Sequence, residues 1–310
     1  MKFSARDFTH PEDQAALDAL QAVPFFATCV QMFMQTVPEQ FLHGLSMAQK
    51  IRLGPSQLPE IYQHLPPVCA ALGIVEPELY LEMHPFPNAY TYGDTRPMLT
   101  VTSGLVEHLT PAELQTVMAH ECGHIVCQHV LYRTMTDMLL RFGASILQSV
   151  ALLSAPLKLA LLYWYRSSEL SADRAAAVVM RGATPVVNVM IRLAGGSKAI
   201  TDNVNIDLYT QQAEAYEKLH ESMWDKLLQG AAASGQEHPF LAVRTREIVH
   251  WCASPSFQEL LQRLDTEASS GPPCPGCQQP LQSSWKFCKY CGHASPHTGL
   301  ASQPEESPQP

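Results

Sequence analysis

The stretch TPAELQTVMAHECGHIVCQ, residues 110–128, constrains the fold and the chemistry of this chain more than any other. Its first four residues match a helix capping box with proline at the first helical position. Further along, His120, Glu121 and His124 form an H-E-x-x-H pattern. Because residues four apart share one face of a helix, both imidazoles reach one zinc ion, and Glu121 lies beside them as a general base. The alternative is two ordinary histidines on an amphipathic helix. His129 falls on another side of the helix, so we predict a packing or capping residue there rather than a ligand.

A second acidic pattern supplies the ligand that this arrangement still lacks. Residues 168–174 read SELSADR, and the spacing of Glu169 and Asp173 places both on one face of a second helix. Catalytic zinc takes three protein ligands and leaves one position open, and two histidines with one glutamate are a common set. We therefore predict Glu169 as the third ligand and Asp173 as the residue that orients a ligand imidazole. The alternative is an exposed acidic pair on a solvated helix.

These two patterns together resemble the HtpX-like/CAAX prenyl protease family of zinc metallopeptidases. HECGH is followed by SELSADRAA, and PNAYTYG with LTVTSGLVEHLTPAEL resembles that family's strand-turn-strand before the zinc helix. HPFLAVR resembles its C-terminal His-Pro motif, and the whole resemblance covers about residues 75–251. Cys122 departs from the family pattern, where a bulkier apolar residue is expected, but its position lies off the ligand face.

The resemblance implies further site residues. In metallopeptidases of this type an edge strand beside the zinc helix binds the substrate by strand addition, and Asn88 and Ala89 match that edge. The family also places a histidine and an arginine near the zinc, which here are His238 and Arg244. We predict His238 as a donor to the oxyanion formed during attack on an amide. Arg244 is predicted to pair with a carboxylate and so position the site. The alternatives are an ordinary hairpin and a His-Pro pair at a helix start.

Four cysteines near the end of the chain predict a separate metal module. Cys274, Cys277, Cys288 and Cys291 form two C-x2-C pairs, which are typical of a closed structural zinc site and resemble a zinc ribbon. A disulfide pair is the alternative. Because so small a module cannot fold on a core alone, we expect the metal to stabilise it.

The predicted fold class is α+β and mostly helical, a zincin-like metallopeptidase domain with a small antiparallel sheet. Strands are expected at 78–83, 88–92 and 98–102, with the last two forming a hairpin. Four parts are expected in chain order: an N-terminal helical region (1–75) that packs on the catalytic domain, the metallopeptidase domain (76–264), the zinc ribbon (272–294), and a disordered tail rich in Pro, Ser and Gln (295–310).

Composition limits the partners and the location. The net charge of −9 argues against general nucleic-acid binding. The other five cysteines are scattered, which suits a reducing cytoplasm, and the charged stretch MKFSARDFTHPEDQ predicts no secretory signal peptide.

Residues 138–165 are long enough for a membrane span, but charges and a proline interrupt them, so we expect two packed amphipathic helices bent near 154–156. Membrane members of the resembled family carry spans in this interval, so membrane association through 138–165 is the alternative.

These patterns predict a zinc-dependent endopeptidase with one catalytic and one structural zinc ion, acting on a peptide or protein substrate. Glu121 takes a proton from the attacking water and passes it to the leaving amine. The second hypothesis is a zinc-stabilised client-binding or chaperone-like protein that rarely cleaves. The intact Glu121 argues against this second hypothesis.

Overall fold

The computed structural model describes residues 4–146, 155–218, 240–269, 273–279 and 281. A 3-10 turn at Ala5–Asp7 precedes the first α-helix. The α-helices are α1 (Pro11–Gln21), α2 (Phe26–Thr36), α3 (Glu39–Gln49), α4 (Pro59–Tyr62), α5 (Leu65–Leu72), α6 (Ser103–His108), α7 (Pro111–Val126), α8 (Val130–Ile146), α9 (Ala155–Met180), α10 (Ala183–Gly195), α11 (Lys198–Thr201), α12 (Ile206–Lys218), α13 (Leu241–Cys252) and α14 (Pro255–Ser269).

One small sheet accompanies these helices. It contains β1 (Ile51–Arg52), β2 (Glu78–Glu82), β3 (Ala89–Tyr92) and β4 (Met98–Thr102), in the order β1-β2-β4-β3. The predicted hairpin of β3 and β4 is confirmed. However, β2 pairs with β4 in parallel, so the sheet is mixed and not antiparallel as expected. Side chains alternate between the faces of both kinds of strand pair, so the sequence pattern did not reveal the strand direction.

The mostly helical α+β class is confirmed, and the crossing of α7 and α9 forms its centre. The start of α7 is as predicted, because Thr110 and Glu113 form a reciprocal capping box. α7 and α9 contribute to one hydrophobic cluster with β4, α5 and α10. Gly123 allows their close approach, since a Cβ atom at this position would lie 2.7 Å from the Cβ of Ala175. Side chains from the two helices can therefore meet over a short distance.

The N-terminal helices cover the other side of α8 and α9. Leu20 of α1 and Phe33 of α2 are buried in a second hydrophobic cluster with Met135 of α8 and Trp164 of α9. This is the packing predicted for residues 1–75. Whether they form a domain of their own remains a prediction.

The segment 138–165 contains the end of α8 and the start of α9. Of the bend predicted near 154–156, residue 154 lies outside the described ranges, as do 147–153, while Ala155 and Pro156 begin α9. Among the described helices, none by itself has the length and apolar character needed to cross a membrane. α1 and α2 meet those criteria only when taken as a pair, and they are bent by 89°.

Candidate active site

The three predicted metal ligands converge between α7 and α9. His120, His124 and Glu169 are buried, and one ligand atom from each lies within 4.8 Å of those of the other two. The Nε2 atom of His120 is 3.5 Å from Oε2 of Glu169, and the Nε2 atom of His124 is 3.4 Å from Oε1. The four-residue spacing on α7 turns both imidazoles toward α9, and the close helix crossing brings the carboxylate to them. An exposed acidic pair is excluded, because Glu169 and Asp173 are both buried.

Asp173 fixes the orientation of His120. Its Oδ1 atom lies 2.9 Å from Nδ1 of His120, so a proton on Nδ1 faces the carboxylate and leaves Nε2 directed at Glu169. Arg244, on α13, donates from Nε and Nη2 to the two oxygens of Asp173 at 2.8 and 2.6 Å. The structure therefore contains the carboxylate pairing that the sequence suggested for Arg244.

Two arginines flank the carboxylate of Glu169. Nη1 of Arg244 lies 2.7 Å from Oε2, and Nη1 of Arg133 lies 2.6 Å from Oε1. Burial would raise the pKa of Glu169, but the two guanidinium groups hold this pKa well below its usual range. The carboxylate therefore stays ionised and able to bind a cation. Arg133 was not predicted from the sequence, because no local motif marks one arginine on an amphipathic helix.

The two imidazoles differ in their affinity for protons. Burial would lower the pKa of His120, but its hydrogen bonds with Asp173 and Glu169 raise that pKa to about 9. Burial and the positive charge of Arg133 hold the pKa of His124 well below its usual value. Since a ligand imidazole must be neutral at the metal-binding nitrogen, the lowered pKa of His124 favours metal binding and the raised pKa of His120 opposes it.

Glu121 lies beside this cluster and is tied to the edge strand β3. Thr91 donates a hydrogen bond from Oγ1 to Oε2 of Glu121 at 2.9 Å. The Oε1 atom of Glu121 is buried and has no hydrogen-bond partner in the part of the chain that the structure describes. One carboxylate oxygen is thus held in place, and the other remains available to take a proton. Thr91 was not predicted, although alternation along β3 places it on the same buried face as Ala89.

His129 contacts His124 and is not part of the ligand cluster. Their Nδ1 atoms are 3.0 Å apart, and the His129 N–H donates to the carbonyl of His124 at 2.9 Å. On its other side, Nε2 of His129 lies 3.0 Å from Oδ2 of Asp13. The sequence predicted only packing for the N-terminal region that contains Asp13.

A small cleft lies beside His120. Asn88 and Ala89, the predicted substrate-binding residues, line this cleft together with Arg244 and Asp173. Most of the remaining wall is apolar and comes from α7, α9 and α10: Val117, Ala176, Val186, Val189, Met190 and Leu193. An extended peptide at the edge of β3 would therefore have an apolar wall next to the ligand cluster.

Other predicted residues lie outside the described ranges, namely His238, Cys288 and Cys291. Cys274 is described and buried, and its carbonyl accepts the N–H of Gln278 at 2.8 Å in a tight turn. Within that turn the Gly276 N–H points to Sγ of Cys274 at 3.3 Å. The second metal site, including Cys277, remains a prediction.

The convergent side chains fit zinc by their chemistry. Two imidazole nitrogens and one carboxylate oxygen are a common donor set of catalytic zinc. Both Nδ1 atoms are engaged by other residues, so both Nε2 atoms face the carboxylate. The buried carboxylate of Glu169, whose pKa the two arginines hold well below its usual range, completes the set.

Comparison with known proteins agrees with this geometry. The family model described as "Peptidase family M48" matches residues 55–252. "Plastoglobule-localized metallopeptidase 48, chloroplastic" of Arabidopsis thaliana is 33% identical over 267 residues, which is 86% of this chain and 78% of that protein. "Protease HtpX homolog 2" of Methanosarcina mazei is 32% identical over 98 residues, 31% of each chain. "Protease HtpX homolog" of Helicobacter acinonychis is 28% identical over 167 residues, 46% of this chain and 54% of that protein. No solved structure matches.

Proposed function

This chain belongs to peptidase family M48, and we propose that it is a zinc-dependent endopeptidase with Glu121 as its general base. The observation that carries the proposal is the convergence of His120, His124 and Glu169 beside Glu121. Family membership makes the protein a protease. The ligand set and the catalytic roles rest on distances, burial and charge.

His120, His124 and Glu169 would hold the zinc ion. When bound, zinc polarises the scissile carbonyl and lowers the pKa of a water molecule at the site. Glu121 accepts the proton of the attacking water on its unbonded Oε1 atom and then donates it to the leaving amine. Asp173 and Arg244 keep the ligands in place, because Arg244 bonds both Asp173 and Glu169.

The edge of β3 is the proposed binding site for the substrate backbone. β3 pairs with β4 on one side, and its other side is an end of the four-stranded order. The carbonyl of Asn88 accepts the N–H of Thr102, so the backbone of Asn88 faces β4. By the alternation of an antiparallel pair, the N–H and C=O of Ala89 face away from β4, where an added peptide strand would bond to them. Asn88 then contributes through its position in the cleft wall.

Three further proposals concern His238, the cysteine module and the location of the protein, and they are based on the sequence. His238 would donate a hydrogen bond to the oxyanion formed at the scissile carbonyl. Cys274, Cys277, Cys288 and Cys291 would hold a second, structural zinc ion in a ribbon. The scattered cysteines favour the cytoplasm, with association of 138–165 with a membrane as the alternative.

A peptidase assay with a metal chelator tests the proposed function against client binding without cleavage. Purified protein is incubated with casein or a pool of quenched peptides, with and without 1,10-phenanthroline. We expect cleavage that stops with chelator and returns when zinc is added, and metal analysis that finds two zinc ions per chain. Binding of the same substrates without cleavage at any zinc concentration would support the chaperone-like hypothesis.

Replacement of Thr91 by valine should lower kcat roughly 10–100-fold, since a hydrogen bond to a charged group contributes about 1.5–3 kcal/mol. Valine keeps the shape of the side chain but removes the donor that holds Oε2 of Glu121. KM and zinc content should stay unchanged in steady-state assays and metal analysis. Thr91→Ser is the matched control, because it restores the hydroxyl and should recover most of kcat. Equal losses in both variants would contradict a role of the hydroxyl.

A further inference from the structure

The N-terminal helix α1 reaches the ligand cluster through buried polar side chains. Oδ2 of Asp13 lies 3.0 Å from Nε2 of His129, and Nδ1 of His129 lies 3.0 Å from Nδ1 of His124. Asp13, His129 and His124 are exposed by 1%, 2% and 0% of their surface. We propose that Asp13, acting through His129, sets the tautomer and the orientation of His124 as a metal ligand. α1 is then a positioning element of the active site, although it lies outside residues 55–252 that match the peptidase family.

The role of Asp13 follows from the positions of the protons on the two imidazole rings when zinc is bound as the proposed function requires. If Nε2 of His124 binds zinc, this atom carries a lone pair, so the proton of the neutral ring is on Nδ1. That proton can bond to His129 only if Nδ1 of His129 is an acceptor. The proton of a neutral His129 is then on Nε2, where it points at the carboxylate of Asp13. The opposite arrangement would leave a proton on Nε2 of His124, directed at the metal.

Both ligand histidines of this protein are connected to a buried carboxylate through their Nδ1 atoms. His120 donates from Nδ1 to the carboxylate of Asp173, which α9 supplies. Nδ1 of His124 meets His129 instead, and the other ring nitrogen of His129 lies against the carboxylate of Asp13 on α1. Carboxylates that orient ligand histidines raise the basicity of the ring and restrict its rotation. Here one of the two carboxylates acts through an intervening imidazole.

The packing around Asp13 holds it in that position. Ser171 donates to Oδ2 of Asp13 at 2.5 Å and accepts the N–H of His10 at 2.9 Å. Ser171 is two residues from Glu169 on α9, so the same turn of α1 is fixed to the helix that carries the third ligand. Burial would raise the pKa of Asp13, but the hydrogen bonds from His129 and Ser171 hold it below its usual value. The ring of Trp164 packs edge-on against His129 at 5.5 Å, which restricts the imidazole further.

Zinc affinity tests this inference without any need for peptidase activity. Competition with a fluorescent zinc chelator is measured on the full chain in the Glu121→Gln background, which prevents self-cleavage. Two zinc ions are expected per chain. The ion at the ligand cluster is identified as the one that is lost when Glu169→Ala is added to this background. We expect Asp13→Ala and His129→Ala each to weaken this zinc about 10–100-fold. The double variant should bind zinc no more weakly than the single variant with the lower zinc affinity, because Asp13 and His129 act through one connection.

Leu20→Val is the matched control, since Leu20 is a buried apolar residue of the same helix and contributes no polar group to the connection of Asp13, His129 and His124. It should lower the melting temperature and leave zinc affinity unchanged. If Asp13→Ala does not fold, the isosteric Asp13→Asn replaces it, with a weakened zinc site again expected. Wild-type zinc affinity in folded Asp13 and His129 variants, or an equal loss in Leu20→Val, would overturn the inference. If the wild-type protein binds no zinc that Glu169→Ala removes, the proposed function fails, whatever the Asp13 and His129 variants do.

Discussion

Replacing Glu121 by glutamine is expected to lower kcat for peptide hydrolysis by on the order of 10³-fold, with zinc content unchanged. Glutamine has nearly the same shape and keeps an oxygen for the hydroxyl of Thr91, which donates to Glu121 at 2.9 Å. It cannot take a proton from water at neutral pH, so general-base assistance is lost while the three ligands stay in place. Steady-state kinetics on a quenched peptide and zinc analysis on the same sample give the two readouts.

A matched control removes a negative charge from the same part of the chain without touching the cluster. Glu107 is an exposed residue of α6, shortly before α7, and Glu107→Gln should cleave at the wild-type rate. Comparison of the proteins cut in cells with wild type and with the Glu121→Gln form would also reveal the substrates. Wild-type turnover in Glu121→Gln would remove Glu121 from the mechanism, and loss of its zinc would show that the substitution damages the metal site instead.

The parts of the site that the sequence predicted are those set by the period of a helix. His120 and His124 are one turn apart on α7, and Glu169 and Asp173 are one turn apart on α9. The spacing alone fixes which side chains share a face. That the two faces meet depends on the crossing at Gly123, for which the sequence offered only the presence of a small residue inside the motif.

The residues that the sequence did not reveal are joined to the cluster by tertiary structure. Arg133 reaches Glu169 from α8, Asp13 reaches His129 from α1, and Thr91 reaches Glu121 from β3. Each lies in an element that reads as ordinary helix or strand, and a partner far away in sequence leaves no local pattern. The parallel pairing of β2 with β4 is hidden for the same reason, since it depends on where β4 inserts and not on the residues in either strand.

Charge balance inside the cluster explains why the ligand carboxylate has two arginines. Glu121, Glu169 and Asp173 are all buried, where an isolated carboxylate is costly. Arg133 and Arg244 are buried as well and share Glu169 between them. The positive charge of each arginine offsets the negative charge of carboxylates that would otherwise repel one another. The carboxylate of Glu169 therefore serves the fold as well as the metal, and its removal should affect both.

Glu169→Ala is expected to remove the helix-bound zinc, to abolish cleavage and to lower the free energy of unfolding by about 3–5 kcal/mol. The large destabilisation follows because Arg133 and Arg244 both lose the carboxylate that they flank at 2.6 and 2.7 Å. Metal analysis should find one zinc ion fewer than in wild type. Denaturant titration of metal-free protein separates the effect of the lost ion pairs from the effect of the lost zinc.

Glu113→Ala is the control. It removes another buried ion pair, with Arg192 at 3.0 Å, and the cap of α7, but it leaves all three ligands in place. It should be destabilised while it retains full zinc. If Glu169→Ala kept its zinc and its activity, the third ligand would have to be another residue.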